Sequence, residues 1–95
     1  MLNRRAKRRY LSILHETPAS EAVDSIIKRC SDFFGSIATE NAAIRLVKSE
    51  SNNVTIIKCR LDRLENVLVA IALSDPPVVT LDMSGSIKQL KRRLA

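Results

Sequence analysis

The stretch that decides the fold is VTIIKCRLDRLENVLVAIALSDPPVVTLDM, residues 54–83. Its first part, 54–60, is rich in β-branched residues and predicts a strand. Residues 62–65, Asp-Arg-Leu-Glu, match a capping box with aspartate in place of serine or threonine, so a helix should begin there. The prolines within 74–77 must end that helix, and 78–83 predicts another strand. The helix should bury Leu64, Val67, Leu68 and Ile71, and the last strand should carry Val79, Leu81 and Met83 on one face.

The residues before this stretch supply two more strands and a long amphipathic helix. A strand is predicted at 9–15. Thr17 should cap the following helix with Pro18 in its first position, and Gly35 should end it. A strand at 43–48 and the polar turn SESNN complete a hairpin with the strand that follows. The apolar residues of the helix recur at the spacing of a single face: Val23, Ile26, Ile27, Cys30, Phe33 and Phe34.

The predicted elements follow the order β-α-β-β-α-β, with a short basic C-terminal helix after them. This order predicts an α+β fold, a ferredoxin-like or RRM-like sandwich with a four-stranded antiparallel sheet and two helices on one face. The other face of the sheet would be uncovered and open, at least in part, to a partner. We expect a single domain over residues 9–95, preceded by a flexible basic N-terminal arm at 1–8, since 95 residues suffice for one domain.

Positive charge is concentrated at the two ends of the chain. The net charge is +6, yet residues 1–9 and 88–95 hold nine cations and no acid, so the residues between them are net negative. This asymmetry favours a polyanion as partner, above all a nucleic acid. A membrane surface is the less favoured polyanion and is not the predicted partner, and no run approaches the roughly 20 apolar residues of a membrane span. The cations are Arg4, Arg5, Lys7, Arg8 and Arg9 at the start, and Lys88, Lys91, Arg92 and Arg93 at the end.

The turn Ser84-Gly85-Ser86 and the helix predicted after it indicate how the C-terminal cations are displayed. Free N–H groups at a helix N-terminus favour anions, although serine before a helix is usually only a cap. Lys88, Lys91 and Arg92 share one helical face, and Arg93 widens it. We therefore predict RNA contacts from the turn and from the cations at both ends of the chain. The opposite, apolar side of the helix, which should dock on the domain, consists of Ile87, Leu90 and Leu94.

Groups for catalysis are scarce. His15 is the only histidine, and no Ser/His/Asp or Cys/His arrangement can be built around it, so a structural or a solvated histidine is the favoured interpretation. Asp82, beside the turn, is most simply an acid that caps it. Cys30 and Cys59 fit neither a disulfide framework nor a zinc knuckle, and we expect reduced, buried thiols in a cytoplasmic protein. We predict that the chain alone is not catalytic and holds no metal or cofactor.

RNA is the nucleic acid that the fold class favours, but not through base stacking. RNA-recognition domains of this class stack bases on aromatic side chains of the central strands. The strand at 54–60 offers Ile56, Ile57, Lys58 and Cys59 instead. Recognition of phosphates and shape in a folded RNA is therefore predicted.

Several segments carry a family resemblance: RRYLSIL, CSDFFG, VTIIKCRLDRLENVLVAIAL and VVTLDMSGSIKQLKRRL. In order and spacing, from about Arg9 to Leu94, they resemble the archaeal ribonuclease P protein component 2 family, whose eukaryotic relatives also serve ribonuclease MRP. Arg9-Tyr10, Lys58-Cys59-Arg60 and Ser84-Gly85-Ser86 match the family pattern. Ser86 replaces the usual threonine and keeps the hydroxyl, and the chain is shorter than many members.

The resemblance implies a protein subunit of the endonuclease that removes the 5′ leader from precursor tRNA. In that family the catalytic RNA performs the chemistry, with Mg²⁺ bound by RNA and substrate. The expected partners are the ribonuclease P RNA, ribonuclease P protein component 3 and, directly or indirectly, precursor tRNA. Two alternatives stay open: a small-molecule-sensing regulatory or oligomerisation domain of the same topology, and a ribosome-associated RNA-binding protein.

Overall fold

A single four-stranded antiparallel sheet organises the chain. The structure, a computed structural model, describes residues 7–94. The strands are β1 Arg8–His15, β2 Arg45–Ser49, β3 Val54–Arg60 and β4 Val78–Ser84, in the order β2-β3-β1-β4. The helices are α1 Ala19–Phe34, α2 Ser36–Ala42, α3 Leu64–Ala72 and α4 Ile87–Leu94, and a 3-10 turn spans Leu61–Arg63. The arrangement confirms the predicted α+β class and the βαββαβ order.

The central strand β1 begins next to the ends of both its neighbours. It runs antiparallel to β3 and β4, with Arg8 opposite Arg60 and Tyr10 opposite Ser84. The fold takes in more of the N-terminus than predicted, because Arg8 belongs to β1 and the Lys7 carbonyl accepts a hydrogen bond of 2.8 Å from the 3-10 turn. The rest of the predicted arm lies outside the described residues.

The helices α1 and α3 pack on one face of the sheet and enclose the core. Alternate residues of the central strands point into it, and Leu11, Ile13 and Ile57 are each 0% exposed. Because the chain is poor in aromatic residues, aliphatic side chains and thiols fill this space. The helices contribute Val23, Ile26 and Cys30 from α1, and Val67, Ala70 and Ile71 from α3.

The last turn of α1 lies outside the core, against expectation. Gly35 ends the helix as predicted, with φ +89°, which a residue with a side chain rarely adopts. Phe33 and Phe34 lie on the predicted apolar stripe, yet they are 57% and 38% exposed. The buried part of α1 ends at Cys30, so helical periodicity alone overestimated the length of the buried stripe.

The helix α2 follows at once and was not predicted. At seven residues it is too short to show a helical period in the sequence. Its first turn is held by the Thr39 hydroxyl, which donates to the Gly35 carbonyl at 2.8 Å. Ala43 ends the helix in the left-handed region, with φ 50°. The second strand therefore begins at Arg45 and not at residue 43.

Two predicted helix caps do not form. Pro18, not Thr17, occupies the cap position of α1, and its carbonyl accepts a hydrogen bond of 3.0 Å from the first turn. The Thr17 carbonyl instead bonds to the His15 ring. Asp62 makes no capping bond and pairs with Arg60 at 3.2 and 2.7 Å, since a two-point bond to a guanidinium is stronger than a bond to a neutral amide.

A β-bulge in β4 separates residues that were predicted to share a face. Leu81 has no partner on β1, where the register shifts. Val79 pairs with Leu14, and Met83 pairs with Leu11. Leu11 points into the core and Leu14 away from it, so Val79 and Met83 lie on opposite faces. The predicted Val79–Leu81–Met83 face is therefore wrong.

The helix α4 covers the centre of the face opposite α1 and α3, which we call the second face. Ser12 lies on this face, because it alternates with the core residues of β1. Its partner on β4, Asp82, lies on the same face and is bound by Arg93 of α4. Leu90, Ser12 and Ile56 are each 0% exposed, although none belongs to the core under α1 and α3. The prediction of an uncovered face is therefore wrong for its centre, while the predicted docking of α4 through an apolar side is confirmed for Leu90.

Candidate nucleic-acid interface

The N-terminal cations and the C-terminal turn meet at one end of the sheet. Because β1 begins beside the end of β4, the Arg9 guanidinium lies against Gly85. A Cβ atom added at Gly85 would be 2.9 Å from the Nη1 atom of Arg9, so a larger residue here would displace the flexible end of the Arg9 side chain. Arg9 therefore joins the first cationic cluster to the turn at 84–86. Arg4 and Arg5, also predicted contacts, lie outside the described residues.

Further cations that were not predicted as contacts lie beside the start of β1. Arg60 is opposite Arg8, and Lys58 is opposite Arg45. The spacing of Lys58 and Arg60, two residues apart in an otherwise apolar strand, is the signal that could have placed both on one face. We call the combined cluster the basic sheet end, and it consists of Arg8, Arg9, Arg45, Lys58 and Arg60.

The hydroxyl groups of the turn at 84–86 take part in capping α4. The Ser86 Oγ accepts a hydrogen bond of 3.3 Å from the Gln89 N–H. The Ser84 Oγ accepts one of 3.1 Å from the Ser86 N–H and donates one of 3.0 Å to the Gln89 Oε1. The bond from the Gln89 N–H to Ser86 is one half of a capping box, while the Gln89 side chain accepts from Ser84 rather than from the Ser86 N–H. Together these bonds stabilise the helix start. Contact between these serines and phosphate stays a prediction.

The cations of α4 do not form one equivalent set. Lys88 and Arg92 are exposed, and Lys91 is half-buried in a depression that Glu50 also lines. Arg93 donates from Nη1 to both carboxylate oxygens of Asp82, at 3.1 and 3.0 Å. Arg93 therefore holds the helix to β4, which differs from its predicted role on a free basic face.

The Asp82 carboxylate is stabilised in its charged form. The Met83 N–H donates to Asp82 Oδ1 at 2.8 Å, and the Arg93 guanidinium binds the same carboxylate. These two hydrogen bonds lower the pKa of Asp82. The acid thus anchors the last turn of α4 to β4. The predicted capping of the turn at 84–86 falls to Ser84 instead, whose hydroxyl accepts from the Ser86 N–H.

Most cations of the basic sheet end have no acidic partner among residues 7–94. The salt bridges within that range are Arg60–Asp62 at 2.7 Å and Arg93–Asp82 at 3.0 Å. Arg8, Arg45 and Lys58 appear in neither pair. An unbalanced positive cluster at the end of a sheet raises the local concentration of polyanions and can neutralise phosphates.

The single histidine is part of the protein interior. His15 is 2% exposed, with Nδ1 2.7 Å from the Thr17 carbonyl and Nε2 2.7 Å from the Thr55 hydroxyl. Because a carbonyl can only accept, Nδ1 carries the proton of that bond, and Nε2 of a neutral ring accepts from Thr55. Both ring nitrogens are occupied in a buried ring, so of the two predicted interpretations, structural or solvated, the structural one is confirmed.

The thiols are free and buried, as predicted for reduced cysteines. Burial, with a smaller contribution from Cys30, raises the pKa of the Cys59 thiol to about 11. Such a thiol is a poor nucleophile at neutral pH. Within residues 7–94 no three His, Cys, Asp or Glu side chains lie close enough together to hold a metal ion. No helix in that range is long and apolar enough to cross a membrane.

Comparisons with known proteins identify no family for this chain. No protein-family model matches the sequence, and no curated protein matches it. The candidate interface is therefore defined by the geometry of the chain itself.

Proposed function

We propose that the chain is a non-catalytic, RNA-binding protein subunit of ribonuclease P. In this role it supports the catalytic RNA as that RNA removes the 5′ leader of precursor tRNA in the cytoplasm. The observation that carries the RNA-binding part is the basic sheet end, where β1, β2 and β3 bring together cations with few acidic partners. The resemblance of the sequence segments to component 2 supports the choice of ribonuclease P among RNA-binding assemblies.

Phosphate contacts are the main source of affinity in this proposal. Each phosphate neutralised by a lysine or arginine releases counterions, so the affinity falls as salt rises. About five to eight contacts from both ends of the chain and the basic sheet end would make this fall steep, by several powers of ten over a modest range of salt. Mg²⁺ belongs to the RNA and its substrate in this mechanism, and the protein contributes position and charge.

A protein partner, ribonuclease P protein component 3 in this proposal, would cover apolar surface. Exposed apolar side chains support such an interface, and they lie where α1 meets α2 and on the uncovered part of the second face. Ile37 is 75% exposed and Phe33 57%, while Val79 is 51% and Leu14 42% exposed. Contiguous apolar surface marks interaction sites, and Val79 and Leu14 are adjacent because they pair across β4 and β1. Co-expression with component 3 should yield one complex on gel filtration, and independent elution at micromolar concentration would contradict this part.

The test of the proposed function is the RNA that purifies with the protein. The tagged chain, isolated from cells of its own organism at low salt, should retain ribonuclease P RNA and activity on precursor tRNA. A variant with Arg8, Arg45 and Lys58 changed to glutamine serves as the matched control and should lose both. Ribosomal RNA in place of ribonuclease P RNA would identify the ribosome-associated alternative, and no RNA at all would favour the regulatory-domain alternative. RNA-free protein should not cut precursor tRNA.

A further inference from the structure

We infer that the second face of the sheet binds one unpaired nucleotide of RNA, with its base stacked on Tyr10. Its phosphates are held by the four cations of the basic sheet end that share this face: Arg8, Arg45, Lys58 and Arg60. This inference rests on the proposed RNA binding, but not on the identity of the RNA. It also revises the prediction that base stacking is absent, because that prediction considered β3 and overlooked β1.

Tyr10 lies on a central strand, and the register of the sheet decides which way it faces. Its neighbour Leu11 is 0% exposed in the core, so Tyr10 points to the second face. It pairs with Lys58 on one side and with Ser84 on the other. The tyrosine is partly exposed, so α4, which begins just after Ser84, leaves part of it uncovered.

Cations surround this ring on the side away from α4. Arg45 lies across β3 from Tyr10, opposite Lys58, and the pair Arg8 and Arg60 forms the next row toward the end of the sheet. Directly opposed side chains in antiparallel strands have Cβ atoms about 5 Å apart, so Lys58 lies within reach of a nucleotide placed on the ring. Among residues 7–94, the acid that forms a salt bridge with one of these four cations is Asp62, which binds Arg60.

This combination is typical of a site for an unstacked nucleotide. An aromatic ring offers its face to any base, and neighbouring cations follow the phosphates. A base inside a duplex is stacked on both sides, so only a loop, a bulge or a single strand can place a base on a ring in a sheet. Arginine and lysine without the ring would favour phosphates of any RNA equally, and Tyr10 is what makes unpaired RNA the preferred ligand.

The composition of the chain provides a direct probe of this site. Tyr10 is the only tyrosine and there is no tryptophan, so the tyrosine emission of the protein reports on Tyr10 alone. A single-stranded RNA octamer should quench this emission as a base stacks on the ring. Inorganic polyphosphate of similar charge, which has no bases, should bind the same cations and leave the emission unchanged. Emission that stays unchanged at saturating octamer would overturn the inference.

Substitutions then separate stacking from charge. Tyr10→Leu should weaken binding of a fluorescein-labelled octamer roughly tenfold, because stacking on one aromatic residue is worth that much. It should leave the salt dependence unchanged and leave the affinity for an RNA duplex of the same length unchanged. Tyr10→Phe keeps the ring and should bind as the wild type does. Lys58→Gln should instead reduce the slope of log affinity against log salt by about 0.7 for the single strand.

The outcomes distinguish this inference from the proposed function. Octamer binding that depends on Tyr10, together with recovery of an RNA other than ribonuclease P RNA, would support the nucleotide site and refute the proposed function. Recovery of ribonuclease P RNA with wild-type octamer affinity in Tyr10→Leu would refute the nucleotide site alone. Circular dichroism of Tyr10→Leu checks its fold, and the emission experiment on the wild type tests the site without any substitution.

Discussion

Replacing Leu90 by alanine tests how much this one fully buried side chain contributes to holding α4 on the second face, beside the Arg93–Asp82 pair. Leu90 is 0% exposed, whereas the other apolar residues of α4, Ile87 and Leu94, are only partly buried. The change removes about three methylene-sized groups at about 0.8 kcal/mol each, so the transfer term is about 2.4 kcal/mol. A residual cavity adds to this value wherever α4 cannot close onto the sheet, and measured leucine-to-alanine costs in cores lie at about 2–5 kcal/mol.

We therefore expect Leu90→Ala to lower the free energy of unfolding by about 2.5–4 kcal/mol. Typical domains of this length unfold with about 5–14 kcal/mol, so the variant should still fold. If α4 detaches before the rest unfolds, amide exchange should speed up in α4 and in the residues beneath it, Ser12 and Ile56, while α1 stays protected.

The assay is equilibrium urea denaturation of both the wild type and the variant, followed by native-state hydrogen exchange. Arg92→Ala is the matched control, because Arg92 is exposed on the same helix and forms no salt bridge with residues 7–94. It should change the stability by less than about 0.5 kcal/mol. Equal stabilities of Leu90→Ala and Arg92→Ala, with unchanged exchange in α4, would refute the described docking of the helix.

Three further outcomes are expected. Changing Lys88, Lys91 and Arg92 to glutamine should weaken RNA binding and leave the melting temperature unchanged. The slope of log affinity against log salt should fall by about 0.7–0.9 for each phosphate that is no longer neutralised. Wild-type affinity and slope would show that these cations only face solvent. Ser12→Ala should be neutral or stabilising, by up to about 1 kcal/mol in urea denaturation, because the buried Ser12 hydroxyl has no hydrogen-bond partner among residues 7–94; a clear loss of stability would indicate a partner for it. Since Cys59 has a pKa of about 11 in the folded protein against 9.0 when unfolded, the protonated thiol contributes stability below pH 9 that is lost as pH rises toward 11. Cys59→Ala should remove this part of the alkaline loss in melting experiments, and an identical alkaline profile would contradict the assignment.

The order of strands and helices could be predicted from the sequence because those signals are local. Period-two strands, the helical period of α1 and the prolines after α3 depend on neighbours within one turn or one strand. The structure follows them, and the ends of most elements agree to within one or two residues. The helix α2 was not predicted, because seven residues are too few for a helical period to be recognised in the sequence.

The candidate site depended on pairing between distant parts of the chain. The sequence identified the basic termini, but it left open whether they form one patch or two. Only the antiparallel pairing of β1 with β4 brings Arg9 against Gly85, and only its pairing with β3 adds Lys58 and Arg60. Arg93 likewise looks like a free cation until the turn before α4 directs it to Asp82.

The direction in which each side chain of the sheet points also depends partly on the sequence and partly on the tertiary structure. Alternation in β1 determines by itself that Tyr10 and Leu11 point in opposite directions, because successive side chains in any strand do so. Which direction leads to solvent and which to a helix is decided only in the folded chain. There α1 and α3 enclose the side of Leu11, the bulge at Leu81 reverses the alternation of β4, and α4 lies across the second face but leaves Tyr10 partly exposed. Local preference acts over a few residues, whereas the position of α4 depends also on its packing against β1, which is far from it in the sequence.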